Sequence, residues 1–187
     1  MIRMRLIKKY RIYIFLFTAS LMTVIIHEYG HFMMGTILGY NMGFDFNGSR
    51  PLVGNYANNM HYFLVIFSGI SFTIIQSYLA FYLMKKLKYK RLYYLVLTPF
   101  LYRLIPYLIS IIYPGRLMLQ DETRIANLLG INLYIIPAII LAVLLFNCWR
   151  ANRKYKINFK GHLKLSTISV VSFIIIIRLN QILMVSI

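Results

Sequence analysis

Long apolar stretches alternate with short polar segments along the whole chain. A helix needs about 20 predominantly apolar residues to cross a lipid bilayer, and five stretches are long enough. Their approximate bounds are 10–38, 61–84, 92–113, 131–149 and 166–187. Backbone polar groups inside a bilayer must be bonded within the protein, which favours helices. The pattern therefore predicts an all-α, polytopic membrane protein with about five transmembrane helices, folded as one integral-membrane domain over residues 1–187.

The charge distribution predicts how these helices are oriented. The chain is 60% apolar, with 21 Lys and Arg against four acidic residues and a formal net charge of +17. The basic residues cluster before residue 12, at 85–91 and at 150–164, and the segments between these clusters carry few. Because loops rich in Lys and Arg stay in the cytosol, we expect a cytoplasmic N-terminus and a lipid bilayer with an anionic inner leaflet as a partner. No nucleic-acid partner is expected, since the sequence contains no soluble basic domain.

The N-terminal segment has the basic start and apolar stretch of a signal peptide. No small-x-small cleavage site precedes residue 27, so we expect an uncleaved first span. A short chain without long soluble extensions is typical of a multi-pass protein of a prokaryotic cell membrane. The single cysteine, Cys148, allows no internal disulfide.

The first apolar stretch contains the ionisable sequence His-Glu-Tyr-Gly-His at residues 27–31. Ionisable side chains at membrane depth are costly and usually functional. Residues four apart share a helix face, so His27 and His31 can bind one zinc ion together. Glu28 can deprotonate a water molecule for attack on a peptide carbonyl. The alternative is a pair of hydrogen-bonded histidines at the membrane interface, with Glu28 as a cap or ion-pair partner.

The sequence around this motif, IIHEYGHFMMGTILGY, resembles the first signature of the site-2-protease-like (M50-type) intramembrane zinc metallopeptidases. The resemblance implies zinc bound by His27 and His31, Glu28 as the catalytic base, and an aspartate from a later helix as the third ligand. In that family the aspartate stands in an Asp-Gly pair. This chain has LMLQDETRIANLLG instead, as expected of a divergent member.

Three acidic residues lie outside the motif, and each is a candidate third ligand: Asp45, Asp121 and Glu122. Asp121 is the first choice, because it is a short, hard ligand that lies far along the chain, as the family pattern requires, and its loop lies on the same predicted side of the bilayer as the histidines. Glu122 is the second choice. The alternative is that Asp121 caps a short helix, 122–129, that Gly130 ends.

Two further ionisable residues have open roles. Arg103, between Pro99 and Pro106 in the third apolar stretch, must pair with an acid or reach water. It can hold a substrate carbonyl or an acid near the site, and the alternative is that it snorkels to the membrane surface or simply pairs with Asp121. His61 is a possible fourth ligand or a partner that orients Glu28, and its alternative is an interfacial histidine.

Two segments resemble further parts of that family. FSGISFTIIQSYLA, residues 67–80, is similar to the helix that packs beside the zinc helix, and its small residues Ser68, Gly69 and Ser71 allow close packing. The glycine- and asparagine-rich segment 40–61 is similar to a hairpin that pairs with an extended substrate. Within it, residues 44–46 alternate as a short strand does, and an ordinary surface loop is the alternative.

Two functions remain open from the sequence. The first is an intramembrane zinc metalloprotease that hydrolyses peptide bonds of a membrane-embedded or membrane-associated polypeptide. The second is a non-enzymatic small membrane protein for binding, transport or immunity, in which the His-Glu-x-x-His motif is incidental or relict. Metal content distinguishes the two.

Overall fold

The computed structural model describes residues 2–45, 48–156, 165–176 and 178, with side chains from residue 12 onwards. Most of these residues are helical. The elements follow in the order α1 (Ile2–Ile37), β1 (Met42–Asp45), β2 (Gly48–Pro51), α2 (Asn59–Leu87), α3 (Tyr93–Ile112), α4 (Asp121–Leu128) and α5 (Ile135–Tyr155). A shorter apolar helix, α6, covers Leu165–Ile176.

Four helical segments of the described chain are long and apolar enough to cross a membrane. They are Ile12–Ile37, Asn59–Leu87, Lys90–Ile112 and Ile135–Tyr155. The prediction of a mainly α-helical protein with membrane-spanning helices is therefore confirmed. A count of five is not confirmed, because the described part of the predicted fifth span is the short helix α6. Residues 177 and 179–187 of that prediction lie outside the described residues.

The buried core lies where the long helices meet. Five of its side chains, from α1, α2, α3 and α5, are at most 1% exposed: Leu16, Met84, Tyr93, Val96 and Leu144. Only 28–50% of each spanning window is buried, and large apolar side chains such as Ile75 and Phe146 remain exposed on the outer faces. An apolar outer surface of this extent matches the hydrocarbon of a bilayer.

The helices α1 and α2 approach each other closely at Gly30 and Gly69. A Cβ atom on Gly30 would lie 2.9 Å from the Ser68 carbonyl oxygen and 3.0 Å from Gly69 Cα. The Ser68 hydroxyl donates to the Gly30 carbonyl at 2.8 Å. Small residues permit such close packing, which the sequence predicted for this segment. Ser71, by contrast, is only half-buried and donates a hydrogen bond to the Phe67 carbonyl of its own helix.

The segment between α1 and α2 forms an antiparallel hairpin rather than an irregular loop. Strands β1 and β2 pair in the register Met42↔Pro51 to Asp45↔Gly48. The hairpin lies against α1, where the Ser49 hydroxyl donates to the Glu28 backbone carbonyl at 2.9 Å. Residue 46 of the predicted strand lies outside the described residues.

Helix α3 runs through both of its prolines, so Arg103 stays inside the bundle. After α3 the chain turns through a 3₁₀ segment, Pro114–Leu119, and α4 packs against α2 and α5. This turn brings the first residues of α4 back to the middle of the bundle.

Candidate metal centre

His27 and His31 lie one turn apart on α1 and face the protein interior. They are 2% and 6% exposed, and their Nε2 atoms are 3.0 Å apart. Nδ1 of His27 lies 3.1 Å from the Thr73 hydroxyl. Nδ1 of His31 lies 2.7 Å from the Val65 carbonyl oxygen. Both partners belong to α2, which therefore fixes the orientation of both rings.

These partners determine which nitrogen carries the proton in each neutral ring. The Val65 carbonyl can only accept a hydrogen bond, so Nδ1 of His31 donates to it. The Thr73 hydroxyl donates its own proton to the Gly69 carbonyl at 3.0 Å, so it accepts from Nδ1 of His27. Nε2 is then the unprotonated nitrogen of each ring, which is the form of histidine that binds a metal ion; Nε2 of His27 also lies within hydrogen-bond distance of an Arg103 N–H group.

Asp121, the first residue of α4, brings a carboxylate to the two imidazoles. Its Oδ2 atom lies 3.0 Å from Nε2 of His27 and 3.4 Å from Nε2 of His31. The N-cap of α4 is Gln120, without a side-chain capping bond. The alternative in which Asp121 caps a helix at 122–129 is therefore wrong, because Asp121 is itself inside the helix and its side chain is directed to the histidines.

The spacing of these three atoms fits a tetrahedral metal site. Ligand bonds of about 2.0–2.1 Å place the ligand atoms of a tetrahedral zinc site about 3.3 Å apart. The three separations here are 3.0, 3.0 and 3.4 Å. Imidazole nitrogen and carboxylate oxygen are both usual zinc ligands. Three lone pairs directed at one another repel, so a cation at their centre would stabilise the arrangement.

Glu28 borders this cluster. Its Oε1 atom is 3.9 Å from Nε2 of His27, farther than the Asp121 oxygen. The ligand atoms of His27, Glu28 and His31 all lie within 4.8 Å of one another, and this group could also hold a metal ion. The Oε2 atom of Glu28 is buried and has no hydrogen-bond partner in the described part of the chain. One oxygen of this carboxylate is thus available to another molecule at the site.

Glu122 lies in a different environment from Asp121. It is fully buried, accepts a hydrogen bond from the Tyr107 hydroxyl at 2.7 Å, and lies 3.2 Å from Nε of Arg103. The structure therefore brings Asp121 to the histidines and Glu122 to Arg103 and Tyr107.

Arg103 connects the two acids to the histidines. It is 5% exposed; Nη1 lies 3.4 Å from Oδ2 of Asp121, and Nη2 lies 2.8 Å from Nε2 of His27. The predicted pairing with Asp121 is confirmed, whereas the contacts with Glu122 and His27 were not predicted. A guanidinium has no lone pair and cannot bind a metal ion, so Arg103 contributes only its positive charge and its hydrogen bonds.

The formal charges of the side chains at this centre do not sum to zero when all three carboxylates are ionised. Three of the chain's four acidic residues, Glu28, Asp121 and Glu122, lie here with one guanidinium, that of Arg103. With neutral imidazoles, three carboxylates and one guanidinium leave a formal charge of −2. Burying uncompensated charge is costly, and a divalent cation would cancel this charge.

Two candidate residues from the sequence do not join the cluster. Nδ1 of His61 lies 2.8 Å from the Tyr40 hydroxyl, and Asp45 belongs to strand β1. Sequence reasoning assigned no role at the site to the ring partners on α2. Val65, Gly69 and Thr73 are spaced four apart, so their common helix face was a signal that could have been found.

The substitution Gly69→Ala is expected to displace both histidines. An added Cβ would overlap the His31 ring and lie 2.7 Å from Cε1 of His27. Overpacking of this kind costs about 1–3 kcal/mol. Zinc affinity, measured by competition with a chelator, should fall by about 10–100-fold, as when a residue that orients a ligand is changed. In the control Gly115→Ala, the added Cβ has no neighbour within 4 Å. Equal zinc affinity in both variants would contradict the close packing.

The substitution Arg103→Gln is expected to destabilise the fold by about 3–5 kcal/mol, because it leaves buried carboxylates without their cation. The double variant R103Q/E122Q should lose less stability than the two single variants together, since it removes an acid and its partner at once. The measurement is the free energy of unfolding in detergent, with the exposed Arg116→Gln as the control. Strictly additive losses would show that Arg103 and Glu122 are not coupled.

No protein-family model matches this chain, and no curated protein or solved structure is significantly similar to it.

Proposed function

We propose that this chain is an intramembrane zinc metalloprotease, a divergent relative of the site-2-protease-like metallopeptidases. The observation that supports it best is the convergence of three ligand atoms, Nε2 of His27, Nε2 of His31 and Oδ2 of Asp121, at separations of 3.0 and 3.4 Å. A carboxylate with a free oxygen, that of Glu28, lies beside them. The whole group lies among apolar helices.

Each residue has a distinct role in this proposal. His27, His31 and Asp121 would hold the zinc ion. Bound zinc supplies Lewis acidity, which polarises a peptide carbonyl and makes water easier to deprotonate. Glu28 accepts the proton of the attacking water and returns it to the departing amine nitrogen. Arg103 holds Asp121 in position through its guanidinium.

The substrate in this proposal is a membrane-embedded or membrane-associated polypeptide. His27 and His31 lie within α1, which is long enough to span a bilayer, so a peptide bond at membrane depth can reach them. The hairpin contacts α1 at Glu28 through Ser49. Its two-stranded sheet leaves an outer edge at which an extended segment could add.

The proposed location is a prokaryotic cell membrane with the N-terminus in the cytosol. The alternation of basic and nearly uncharged connecting segments supports this orientation.

Removal and return of the metal test the proposal. The purified protein in lipid nanodiscs should contain about one zinc ion per chain, as expected for one set of ligands. It should cleave a panel of reconstituted transmembrane peptides, lose this activity with 1,10-phenanthroline, and regain it with added zinc. A protein that binds no zinc, or cleaves equally well after zinc has been removed, would contradict the proposal.

One observation favours the non-enzymatic alternative, a small membrane protein for binding, transport or immunity. The Arg103 guanidinium already contacts His27 and Asp121, so the cluster receives positive charge from the chain itself. If this alternative is correct, the purified protein contains no zinc. Arg103→Gln then lowers its stability, and the variant contains no zinc either.

A further inference from the structure

A groove separate from the candidate metal centre lies between the C-terminal ends of α2 and α5. It is open to the surroundings and has a volume of about 430 Å³. Lys85 follows Thr73, the hydrogen-bond partner of His27, by twelve residues in α2. This spacing places Lys85 ~18 Å along the helix axis from that contact. We call this cavity the basic–aromatic groove. Its lining residues are Phe81, Lys85, Phe146, Trp149, Arg150, Arg153 and Lys154.

The aromatic rings hold the arginines at the rim of the groove. Cζ of Arg150 lies 5.1 Å from the ring centre of Phe81 and 5.7 Å from that of Phe146. Cζ of Arg153 lies 5.5 Å from the ring centre of Trp149. Such contacts orient a guanidinium through one face and leave its N–H groups free to donate to a ligand.

Among the described residues, no acidic side chain lines the groove. The sequence contains four acidic residues. Three of them lie at the candidate metal centre, and Asp45 lies in strand β1. Four basic residues therefore face one groove without a compensating carboxylate, and an anion would stabilise them.

The geometry points to an anionic phospholipid whose headgroup phosphate binds in the basic–aromatic groove. The groove lies at the ends of two helices that are long enough to span a membrane, which is the depth of lipid phosphates. Trp149 is 51% and Phe146 is 52% exposed, and aromatic side chains at helix ends favour the membrane interface. The exposed apolar face of α5 next to the groove, including Leu145, provides a surface for the acyl chains.

This arrangement differs from general attraction to a charged leaflet. A diffuse attraction depends on the total charge and is indifferent to which lysine or arginine is removed. Binding at a specific site depends instead on which residues line the groove. Removing groove cations should then reduce lipid preference more than removing the same number of cations elsewhere.

Trp149 is the only tryptophan of the chain, so its fluorescence reports directly on the groove. The protein is reconstituted into vesicles in which either phosphatidylglycerol or phosphatidylcholine, at equal mole fraction, carries brominated acyl chains. Brominated phosphatidylglycerol should quench Trp149 more strongly, and the quenching ratio gives the relative binding constant. The preference should fall by roughly tenfold for each groove cation removed, as expected when a charge-assisted hydrogen bond to the phosphate is lost.

The variant K85Q/R150Q removes two groove cations and leaves Arg153, which contacts the indole, in place. The control K86Q/K90Q removes two exposed cations that do not line the groove. We expect the preference to be lost in the first variant and kept in the second. Equal quenching by both lipids in the unaltered protein would overturn the assignment, as would equal losses in both variants.

Free phosphate is tested separately in a zwitterionic detergent without anionic lipid. Inorganic phosphate at millimolar concentration should leave the Trp149 emission unchanged, whereas short-chain phosphatidylglycerol should shift it. A response to inorganic phosphate alone would mean that the groove takes a soluble anion, and the lipid assignment would be wrong.

Discussion

Replacing Glu28 with glutamine should leave about one zinc ion bound per chain and reduce peptide-bond hydrolysis by at least ~100-fold, since a general base contributes about 10²–10⁴-fold to a rate. The amide keeps the size of the side chain but cannot accept the proton of the attacking water. Zinc should remain, because Glu28 lies 3.9 Å from Nε2 of His27, whereas Asp121 lies at 3.0 Å.

The substrate of the chain need not be known for this measurement. Membranes from cells that produce equal amounts of the unaltered protein and of Glu28→Gln are compared for peptide N-termini created by cleavage. Termini present with the unaltered protein should be missing with the variant. Zinc content is measured on the same preparations, so that loss of metal is not mistaken for loss of the base.

The matched control is Asp45→Asn, which removes a carboxylate from strand β1 rather than from the metal centre. It should keep both zinc and cleavage. If Glu28→Gln cleaves as well as the unaltered protein, Glu28 is not the base and the protease proposal fails. If the variant instead loses zinc, Glu28 serves as a ligand in the group that it forms with His27 and His31.

The local part of the metal centre was predictable from the sequence because it depends only on helix geometry. Residues four apart lie on one face of any α-helix, so the convergence of His27 and His31 required no knowledge of the tertiary fold. The predicted side of the bilayer placed both acids of this segment near the histidines, and Asp121 was chosen before Glu122 because aspartate is a short, hard ligand. The structure brings the Asp121 carboxylate to both imidazoles.

The contacts of Arg103 were only partly predictable because they depend on how three helices cross. The sequence showed that a buried arginine needs a partner, but not that α4 would begin where Arg103 reaches both Asp121 and Glu122. Adjacent helical residues point in directions about 100° apart. A rotation of α4 by about 100° would therefore exchange the environments of the two acids, and periodicity alone does not determine the rotation of a short helix.

Helix ends were predicted less well than helices. The fourth apolar stretch was expected to begin at residue 131, but α5 begins at Ile135. The Asn132 side chain accepts a hydrogen bond from the Tyr134 N–H at 3.0 Å, a local turn that holds the chain out of the helix. A hydropathy profile counts residues 131–134 as part of the apolar stretch, because such a profile contains no information on hydrogen bonds.

A second large effect is expected when the two neighbouring acids of α4 are compared. Asp121→Asn should weaken zinc binding by more than ~100-fold, because it removes a charged ligand and not merely a residue that supports one. This corresponds to more than about 2.7 kcal/mol of binding free energy. Glu122→Gln should weaken zinc binding by less than ~10-fold, because the Glu122 carboxylate contacts Arg103 and Tyr107 rather than the histidines.

The two variants are a matched pair, since each exchanges one carboxylate for an amide on adjacent residues of the same short helix. Affinity is measured by chelator competition, and coordination by the visible absorption of the protein loaded with cobalt(II). Asp121→Asn should change the cobalt spectrum and Glu122→Gln should not, although Glu122→Gln should lower the thermal stability by leaving Arg103 with one acid.

The reverse pattern would make Glu122 the ligand and require α4 to rotate. Equal, strong zinc binding in both variants would mean that no acid of α4 binds the metal. His27, His31 and Glu28 would then bind the zinc ion together, and no free base for hydrolysis would remain at this site.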